Sequence, residues 1–331
     1  MNVREAKQAV ADAGRELLAE RLVARTWGNV SCRTGGQSFV ITPSGLAYEG
    51  MTAEDVVEYD MATGEWSGKR KPSSEKGIHA AAYARFPDAG FVIHTHQTYA
   101  SALGLAGFDP RQLSDEERAV LGGSAVSGYG LPGTKRLRNH VGATLASSSH
   151  TVLMRQHGAL VVGRDRQEAF ERAKRLEQIC KAACRGQPEG EPSGDAVLLA
   201  ALAEQLKRKF SCVGYTASPV VWETSRTVNA FRAQLDDMAQ MIGTKLVSVS
   251  GEPEAVERAL GRCPAVLVKG AGAICRADTE ADCEALKLLT EKACVAFLHT
   301  RELDIPAALS MVDALLMRVV YQKKYSKKMR G

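Results

Sequence analysis

The stretch from residue 71 to residue 96 constrains this chain more than any other, because chemically useful side chains lie at both of its ends. Residues 91–96 read FVIHTH, a short apolar run that continues into His-x-His. On a strand, residues i and i+2 point to the same face, so His94 and His96 reach one point in space. Such a pair is typical of a divalent metal site, although two partly exposed histidines would give the same pattern.

The same stretch opens with a signal for the start of a helix. Pro72 is followed by Ser73, Ser74 and Glu75, and small apolar residues then recur with helical spacing, so either serine is a candidate N-cap. Free N–H groups and the macrodipole make a helix N-terminus favourable for phosphate. The alternative is that Ser-Ser-Glu only caps the helix. Together the two ends predict a phosphate site, a carboxylate and two metal ligands.

The overall composition is that of an ordinary globular protein. The chain has 331 residues, of which 45% are hydrophobic and 24% charged, enough for one large or two medium domains. The net charge of +5 is mild and no basic stripe is interleaved with aromatic residues, which argues against nucleic acid as a partner. The N-terminus has neither a signal-peptide core nor a membrane span, and the eight cysteines lack C-x-x-C spacing. These features predict a cytoplasmic protein with reduced thiols and no membrane partner.

Turns rich in glycine and small hydroxyl residues follow the predicted strands. Gly28-Asn29 precedes one strand, and Thr42-Pro43-Ser44-Gly45 ends the next. Such turns leave backbone amides uncovered, which suits a phosphate, although each could be only a turn. Residues 108–127 are polar and acidic and predict a loop with one helical turn. The second glycine-rich segment, 127–134, precedes a helix of about residues 135–147.

A third histidine follows a second apolar strand. Residues 151–162 predict two core strands joined by a tight His157-Gly158 turn. A histidine there is a good third metal ligand, and three histidines with one open position are typical of catalytic zinc. A turn histidine that only bonds backbone is the alternative. A helix of about 166–184 follows, and the Pro/Gly/Glu-rich segment 186–194 then predicts a boundary between domains 1–187 and 195–331.

In this order, over about residues 5–185, the motifs resemble the class II aldolase/adducin family. The motifs are Gly28-Asn29, Thr42-Pro43-Ser44-Gly45, Ser73-Ser74-Glu75, His94-x-His96, Gly133-Thr134 and Gln156-His157-Gly158. The resemblance implies a three-layer α/β/α fold with a mainly antiparallel central sheet. It also implies a homo-oligomeric enzyme of carbohydrate metabolism that acts on a small phosphorylated sugar.

The resemblance also implies the site. One Zn²⁺ per chain, or another divalent metal, would be held by His94, His96 and His157. Glu75 would be the acid/base, and it favours an aldolase because the family's epimerases typically carry Asp there. The implied reaction is reversible retro-aldol cleavage of a phosphorylated ketose through a metal-stabilised enediolate. The alternatives are a sugar-phosphate epimerase, a decarboxylase or a non-catalytic adducin-like scaffold. The implied phosphate-binding residues are Gly28, Asn29, Ser44, Gly45, Ser73 and Ser74.

One departure from the family pattern concerns the proton donor. Related fuculose-phosphate aldolases carry a tyrosine after the His-x-His helix, whereas residues 100–128 here contain no tyrosine. The remaining candidates are Tyr129, Tyr215, Tyr321 and Tyr325. The last three would have to act across a subunit interface.

The second half of the chain is interpreted as a degenerate second copy of the first. Residues 266–274 and the helix after them parallel residues 152–160 and theirs, and residues 220–224 parallel the strand at 92–96. On this alignment the three ligands become Trp222, Thr224 and Ala271, so the copy cannot bind metal in the same way. We expect it to pack at the active-site interface of the oligomer.

Overall fold

The computed structural model describes residues 1–188 and 194–324, which fall into two compact units, Met1–Ala183 (unit 1) and Cys184–Gly331 (unit 2). Part of the predicted linker and Tyr325 lie outside the described residues. Unit 1 contains α1 (Val3–Ala19), β1 (Asn29–Gly35), β2 (Ser38–Ile41), β3 (Val57–Asp60), β4 (Trp66–Ser67), α2 (Lys76–Arg85), β5 (Phe91–Thr95), α3 (Thr98–Leu105), α4 (Asp115–Leu121), β6 (Ser124–Ser127), α5 (Lys135–Leu145), β7 (Thr151–Met154), β8 (Gly158–Gly163) and α6 (Arg166–Ala183).

Unit 1 is built on an eight-stranded sheet in the order β4-β3-β2-β1-β5-β8-β7-β6. Every neighbouring pair is antiparallel except β6 with β7. Alternate residues of a strand pack against opposite layers of helices: Ile93 packs with α1 and α6, whereas Val92 packs with α2 and α5. The predicted three-layer α/β/α fold with a mainly antiparallel sheet is confirmed.

The segment predicted as a loop at 108–127 has more structure than expected. It contains the two-turn helix α4 and the edge strand β6. The helix begins at Ser114, whose side chain and that of Glu117 form a reciprocal capping box, and it ends at Gly122 in the left-handed conformation. The loop prediction was wrong because the acidic residues were interpreted as loop composition, whereas they occupy the first turn of a helix, where the macrodipole favours them.

Helix α2 begins later than the sequence predicted. Its N-cap is Glu75, so the assignment of Ser73 or Ser74 as N-cap was wrong. The Ser73 N–H donates to the Thr42 carbonyl, and Pro72 pairs with Pro43 in an isolated β-bridge, which keeps this backbone extended. The Ser73 hydroxyl still accepts from the Glu75 N–H at 3.2 Å. The later start places Glu75 at the N-terminus of the helix.

Unit 2 has a five-stranded sheet in the order β10-β11-β12-β13-β9. Strands β11 and β12 are parallel and the other pairs are antiparallel. The elements of unit 2 are α7 (Ala196–Leu206), β9 (Cys212–Thr216), α8 (Pro219–Thr227), β10 (Ala230–Arg232), α9 (Asp236–Met241), β11 (Lys245–Val249), α10 (Pro253–Leu260), β12 (Ala265–Val268), β13 (Gly272–Ala277), α11 (Glu280–Glu302) and α12 (Met311–Lys324).

The strands β9-β13-β12-β11 repeat the order and pairing senses of β5-β8-β7-β6 in unit 1. Residues 220–224, however, form part of helix α8 and not a strand, so their alignment with residues 92–96 was wrong. The apolar run misled because Pro219, at the first helical position, starts a helix there. The register of β9 on β13 puts Tyr215 where His94 stands in unit 1, with Ala217 following where His96 stands, in place of Trp222 and Thr224. Ala271 remains the counterpart of His157.

Within residues 1–188 and 194–324, no helix is both long and apolar enough to cross a bilayer.

Candidate metal centre

Three histidines converge at one end of the unit 1 sheet. His94 lies on β5, His96 follows that strand, and His157 lies in the turn between β7 and β8. Antiparallel pairing of β5 with β8 sets Thr95 opposite Ala159, which brings the turn next to the strand end. The Nε2 atoms of His94 and His96 are 3.0 Å apart, and the candidate ligand atoms of all three side chains lie within 4.8 Å of one another. The predicted triad is therefore one buried cluster.

Backbone contacts fix the orientation of the cluster. The Nδ1–H of His94 donates to the Ala159 carbonyl oxygen at 2.9 Å, which leaves Nε2 directed at the other imidazoles. The His96 N–H donates to the Leu22 carbonyl at 3.1 Å. A Cβ atom at Gly158 would overlap the Thr95 carbonyl oxygen, so the turn can approach β5 only with glycine after His157. The His-Gly pair is thus required by packing as well as by chemistry.

The carboxylate of Glu75 completes the cluster. Its Oε1 is 2.9 Å from Nε2 of His157, and its Oε2 is 3.2 Å from Nε2 of His94. Burial by itself raises the pKa of the Glu75 carboxyl, but positive charge on His94 and His157 and hydrogen bonds from them outweigh burial and hold that pKa well below its usual range. Glu75 is therefore a carboxylate at neutral pH.

The donor set fits a divalent metal ion. Nε2 of His94 and Nε2 of His96 face each other at 3.0 Å, and two bare imidazole nitrogens at that distance need a proton or a cation between them. Three imidazoles and a carboxylate are ligands that Zn²⁺ takes in tetrahedral sites. A bound cation would replace the protons that otherwise compensate the Glu75 charge. His94, His96 and His157 would hold the ion, and Glu75 lies within reach of it.

The residues predicted to bind phosphate lie on segments that meet near Glu75. The Thr42–Gly45 turn and residues 71–73 are hydrogen-bonded to each other, with the Ser44 N–H donating to the Lys71 carbonyl at 2.9 Å. A Cβ at Gly28 would lie 2.6 Å from the His94 carbonyl oxygen, so this turn lies directly against the metal-ligand strand. A Cβ at Gly133 would come within 3.5 Å of the Ser74 hydroxyl oxygen.

The side chain of Asn29 makes two contacts that the sequence did not suggest. Its Nδ2 donates to Glu75 Oε2 at 3.0 Å, and its Oδ1 accepts from His79. His79 lies on the same helix face as Glu75. Ser31, which bonds both to His79 and to Tyr83, was missed in the sequence, and so was Tyr83. Their spacing was the available signal: Ser31 is two residues from Asn29 on a strand, and Tyr83 is four from His79 on a helix.

The candidate proton donors are spread over both units. Tyr129 follows β6 in unit 1 and is half-buried. Tyr215 lies on β9 and Tyr321 on α12, both in unit 2, and Tyr325 is beyond the described residues. None of these residues has an assigned role, and the identity of the donor stays a prediction.

The first half of the chain matches a known protein family. The family model for the Class II Aldolase and Adducin N-terminal domain matches residues 8–184, just over half of the chain. The L-ribulose-5-phosphate 4-epimerase UlaF of Salmonella paratyphi B is 34% identical over 197 residues, which cover 54% of this chain and 83% of that protein.

Solved structures give the same result. The fold is similar to that of an L-fuculose 1-phosphate aldolase at 28% identity, with a TM-score of 0.51 over 61% of this chain and 96% of that one. It is also similar to YgbL of Klebsiella pneumoniae at 25% identity, with a TM-score of 0.50 over 55% of this chain and 89% of that one. The matching segment contains all three histidines, Glu75 and the glycine-rich turns. The chain therefore belongs to the class II aldolase and adducin family.

Proposed function

We propose that unit 1 is a zinc-dependent aldolase that reversibly cleaves a phosphorylated ketose, with Glu75 as the acid/base. The observation that carries this proposal is the convergence of three buried imidazoles and one buried carboxylate on a single point. A non-catalytic scaffold of the adducin type has no need for such a cluster, because burying four ionisable groups is costly unless their charges are used.

Each residue of the cluster would have its own role in the reaction. Bound by His94, His96 and His157, Zn²⁺ would supply a Lewis acid that stabilises negative charge on the oxygens of the substrate. Glu75, ionised at neutral pH, would take the proton from the substrate carbon or return it. The Ala159 carbonyl keeps the His94 ring in one tautomer throughout. Burial of the cluster excludes bulk water, which would otherwise protonate the carbanion-like product.

The glycine-rich turns would hold the phosphate of the substrate. Gly28, Asn29, Ser44, Gly45, Ser73 and Ser74 are the residues proposed for this role. Support comes from the contacts that join their segments beside Glu75, and from the glycines and small hydroxyl residues that these segments carry. A phosphate there would orient the hydroxy-ketone end of the substrate toward the histidines.

A 4-epimerase acting on a pentulose phosphate is the second candidate, because the relative at 34% identity is an L-ribulose-5-phosphate 4-epimerase. Both reactions need the same metal and the same kind of charge stabilisation. Glu75, where epimerases of this family typically carry Asp, favours the aldolase. A sugar-acid phosphate decarboxylase is a further variant of the same chemistry.

Metal content and a substrate panel would test the proposal together. Purified wild type should contain one zinc per chain, His94→Ala should lose it, and Glu75→Gln should keep it while losing turnover. Wild type should release dihydroxyacetone phosphate from L-fuculose 1-phosphate or a similar ketose phosphate. Conversion of L-ribulose 5-phosphate to its 4-epimer without cleavage would instead support the epimerase. A chain that takes up no metal after zinc supplementation would overturn both.

We propose a cytoplasmic homo-oligomer, with unit 2 as a degenerate, metal-free copy that packs at the active-site interface. The shared strand order of the two sheets supports the repeat. A monomeric mass in light scattering would overturn the oligomer.

A further inference from the structure

A ladder of five buried polar side chains runs from the candidate acid/base into the core of unit 1. Helix α2 contributes Glu75 at its N-cap, then His79 and Tyr83, spaced four residues apart on one face. Strand β1 contributes Asn29 and Ser31, two residues apart on one face. The two rows interleave, so each strand residue bonds the helix residues on either side of it. None of the five is more than 8% exposed.

In the half of the ladder next to Glu75, the geometry fixes which group donates each hydrogen bond. The Asn29 Nδ2 donates to Glu75 Oε2 at 3.0 Å, as an amide nitrogen facing a carboxylate oxygen must. Asn29 therefore presents Oδ1 to His79, and the ring must donate from Nε2–H. A rotated Asn29 amide would set its oxygen against the carboxylate, which is repulsive. The Glu75 end thus requires one tautomer of His79.

The other half of the ladder continues in the same direction. Ser31 has one hydroxyl proton, which Nδ1 of His79 accepts, so the Tyr83 O–H donates to Ser31 at 2.8 Å. Ser31 in turn donates to Nδ1 of His79 at 2.7 Å. A histidine that accepts at Nδ1 and is neutral carries its proton on Nε2. Every donor therefore points toward Glu75.

We propose that His79 is a positioning residue that fixes the Asn29 amide, and through it the Glu75 carboxylate, in the orientation used for proton transfer. This inference rests on the proposed function of Glu75 as acid/base. His79 is fully buried and bonds Asn29 and Ser31, so it would act through Asn29. The Asn29 side-chain amide bonds Glu75 and His79, so the effect of His79 should appear in the rate of the chemical step and not in substrate binding.

Two substitutions at one position separate positioning from packing. His79→Phe keeps a buried ring but removes both nitrogens, and we expect kcat to fall about 10- to 100-fold, with KM nearly unchanged and zinc still bound. His79→Gln keeps an N–H donor near the place of Nε2 and should recover most of that loss. His140→Phe, on helix α5 outside the ladder, is the matched control with the same chemical change. Equal kcat per zinc-loaded molecule in His79→Phe and wild type would overturn the proposal.

Ser31→Ala is the second variant in case His79→Phe fails to fold. It removes only the donor to Nδ1, so the tautomer is no longer enforced, and kcat should fall by an intermediate amount. Wild-type kcat in Ser31→Ala would also count against the ladder.

A spectroscopic readout keeps this inference separate from the proposed function. In the ¹⁵N spectrum of the full chain labelled at histidine, His79 should show the neutral Nε2–H tautomer, with Nδ1 accepting a hydrogen bond. The Nδ1–H tautomer would overturn the inference whatever the activity. If wild type turns over no ketose phosphate or pentulose phosphate, the proposed function fails. The tautomer and its response to Ser31→Ala then still decide whether the ladder orients Asn29.

Discussion

The hairpin β7–β8 of unit 1 and the hairpin β12–β13 of unit 2 have the same construction but different side chains. In each, a glycine at the start of the second strand packs against a threonine carbonyl of the neighbouring strand: Gly158 against Thr95, and Gly272 against Thr216. In each, the residue two before that glycine has a positive φ, 62° at Gln156 and 73° at Gly270. The turn geometry therefore depends on the glycine and does not depend on a metal ligand.

The two units differ in the side chains that this shared backbone carries. Tyr215, Ala217 and Ala271 stand in unit 2 where the three histidines stand in unit 1. The space is also closed, because a Cβ on Gly194 would come within 2.7 Å of the Ala271 carbonyl oxygen and 2.8 Å of the Ala217 Cβ. The comparison teaches that the same hairpin can carry the histidine cluster or other side chains in its place. Unit 2 keeps the supporting hairpin without the chemistry.

Replacing one histidine of unit 1 by its counterpart in unit 2 should have the largest effect on zinc binding and turnover. His157→Ala copies Ala271, and loss of one of three imidazoles should abolish stable zinc binding and lower turnover on the order of 10³-fold, because several kcal/mol of charge stabilisation disappear. Zinc per chain and kcat on the identified substrate measure this. The fold should survive, since Ala271 occupies the matching turn in unit 2.

His140→Ala is the matched control for His157→Ala, because it removes a histidine from helix α5 outside the cluster. Its zinc content and turnover should equal those of wild type. Wild-type zinc content in His157→Ala would contradict the assignment of that residue as a ligand.

The sequence was sufficient for the parts of this site that depend on local spacing. His94-x-His96 on a strand, His157 in a turn and Glu75 at a helix start are patterns of two to four residues, and the structure brings all four side chains together. The fold of unit 1 was predictable because the order of these motifs resembles a known family, whose fold the resemblance implies.

The parts that could not be predicted depend on contacts distant in sequence. The extended backbone at Ser73 is set by a bond to Thr42, and the ladder needs β1 packed against α2, a register that no local pattern encodes. The alignment of residues 220–224 failed because a short apolar run fits a strand or a buried helix, and only Pro219 distinguishes the two.

The shared glycines give a second, smaller test of the comparison. Gly158→Ala and Gly272→Ala should each destabilise their own unit by about 1–3 kcal/mol, because the added methyl group displaces a strand. Gly272→Ala should cost more, since Gly272 also has a positive φ of 147°. Calorimetric unfolding of the full chain measures both.

Metal content distinguishes the two glycine variants. Only Gly158→Ala should weaken zinc binding, because it moves the His157 turn away from β5. Reduced zinc affinity in Gly272→Ala would show that the two hairpins are not independent in their effect on the site.

The smallest expected effect comes from pH, and it tests the buried histidine of the ladder. Burial, with a further contribution from His94, lowers the pKa of His79 from 6.5 to about 3. Between those values the unfolded chain binds a proton at this position and the folded chain does not. Stability therefore falls as the pH is lowered from about 7, by at most about 1.4 kcal/mol per pH unit.

His79→Gln has no group that titrates at this position. Lowering the pH from 6 to 5 should therefore reduce the unfolding free energy of wild type by about 1 kcal/mol more than that of His79→Gln. Urea unfolding followed by circular dichroism, with a chelator present so that zinc does not contribute, measures the difference. This range lies above the unfolded pKa of Glu75, whose depressed folded pKa costs stability only in stronger acid. Parallel curves for the two proteins would mean that His79 is not held neutral by the fold.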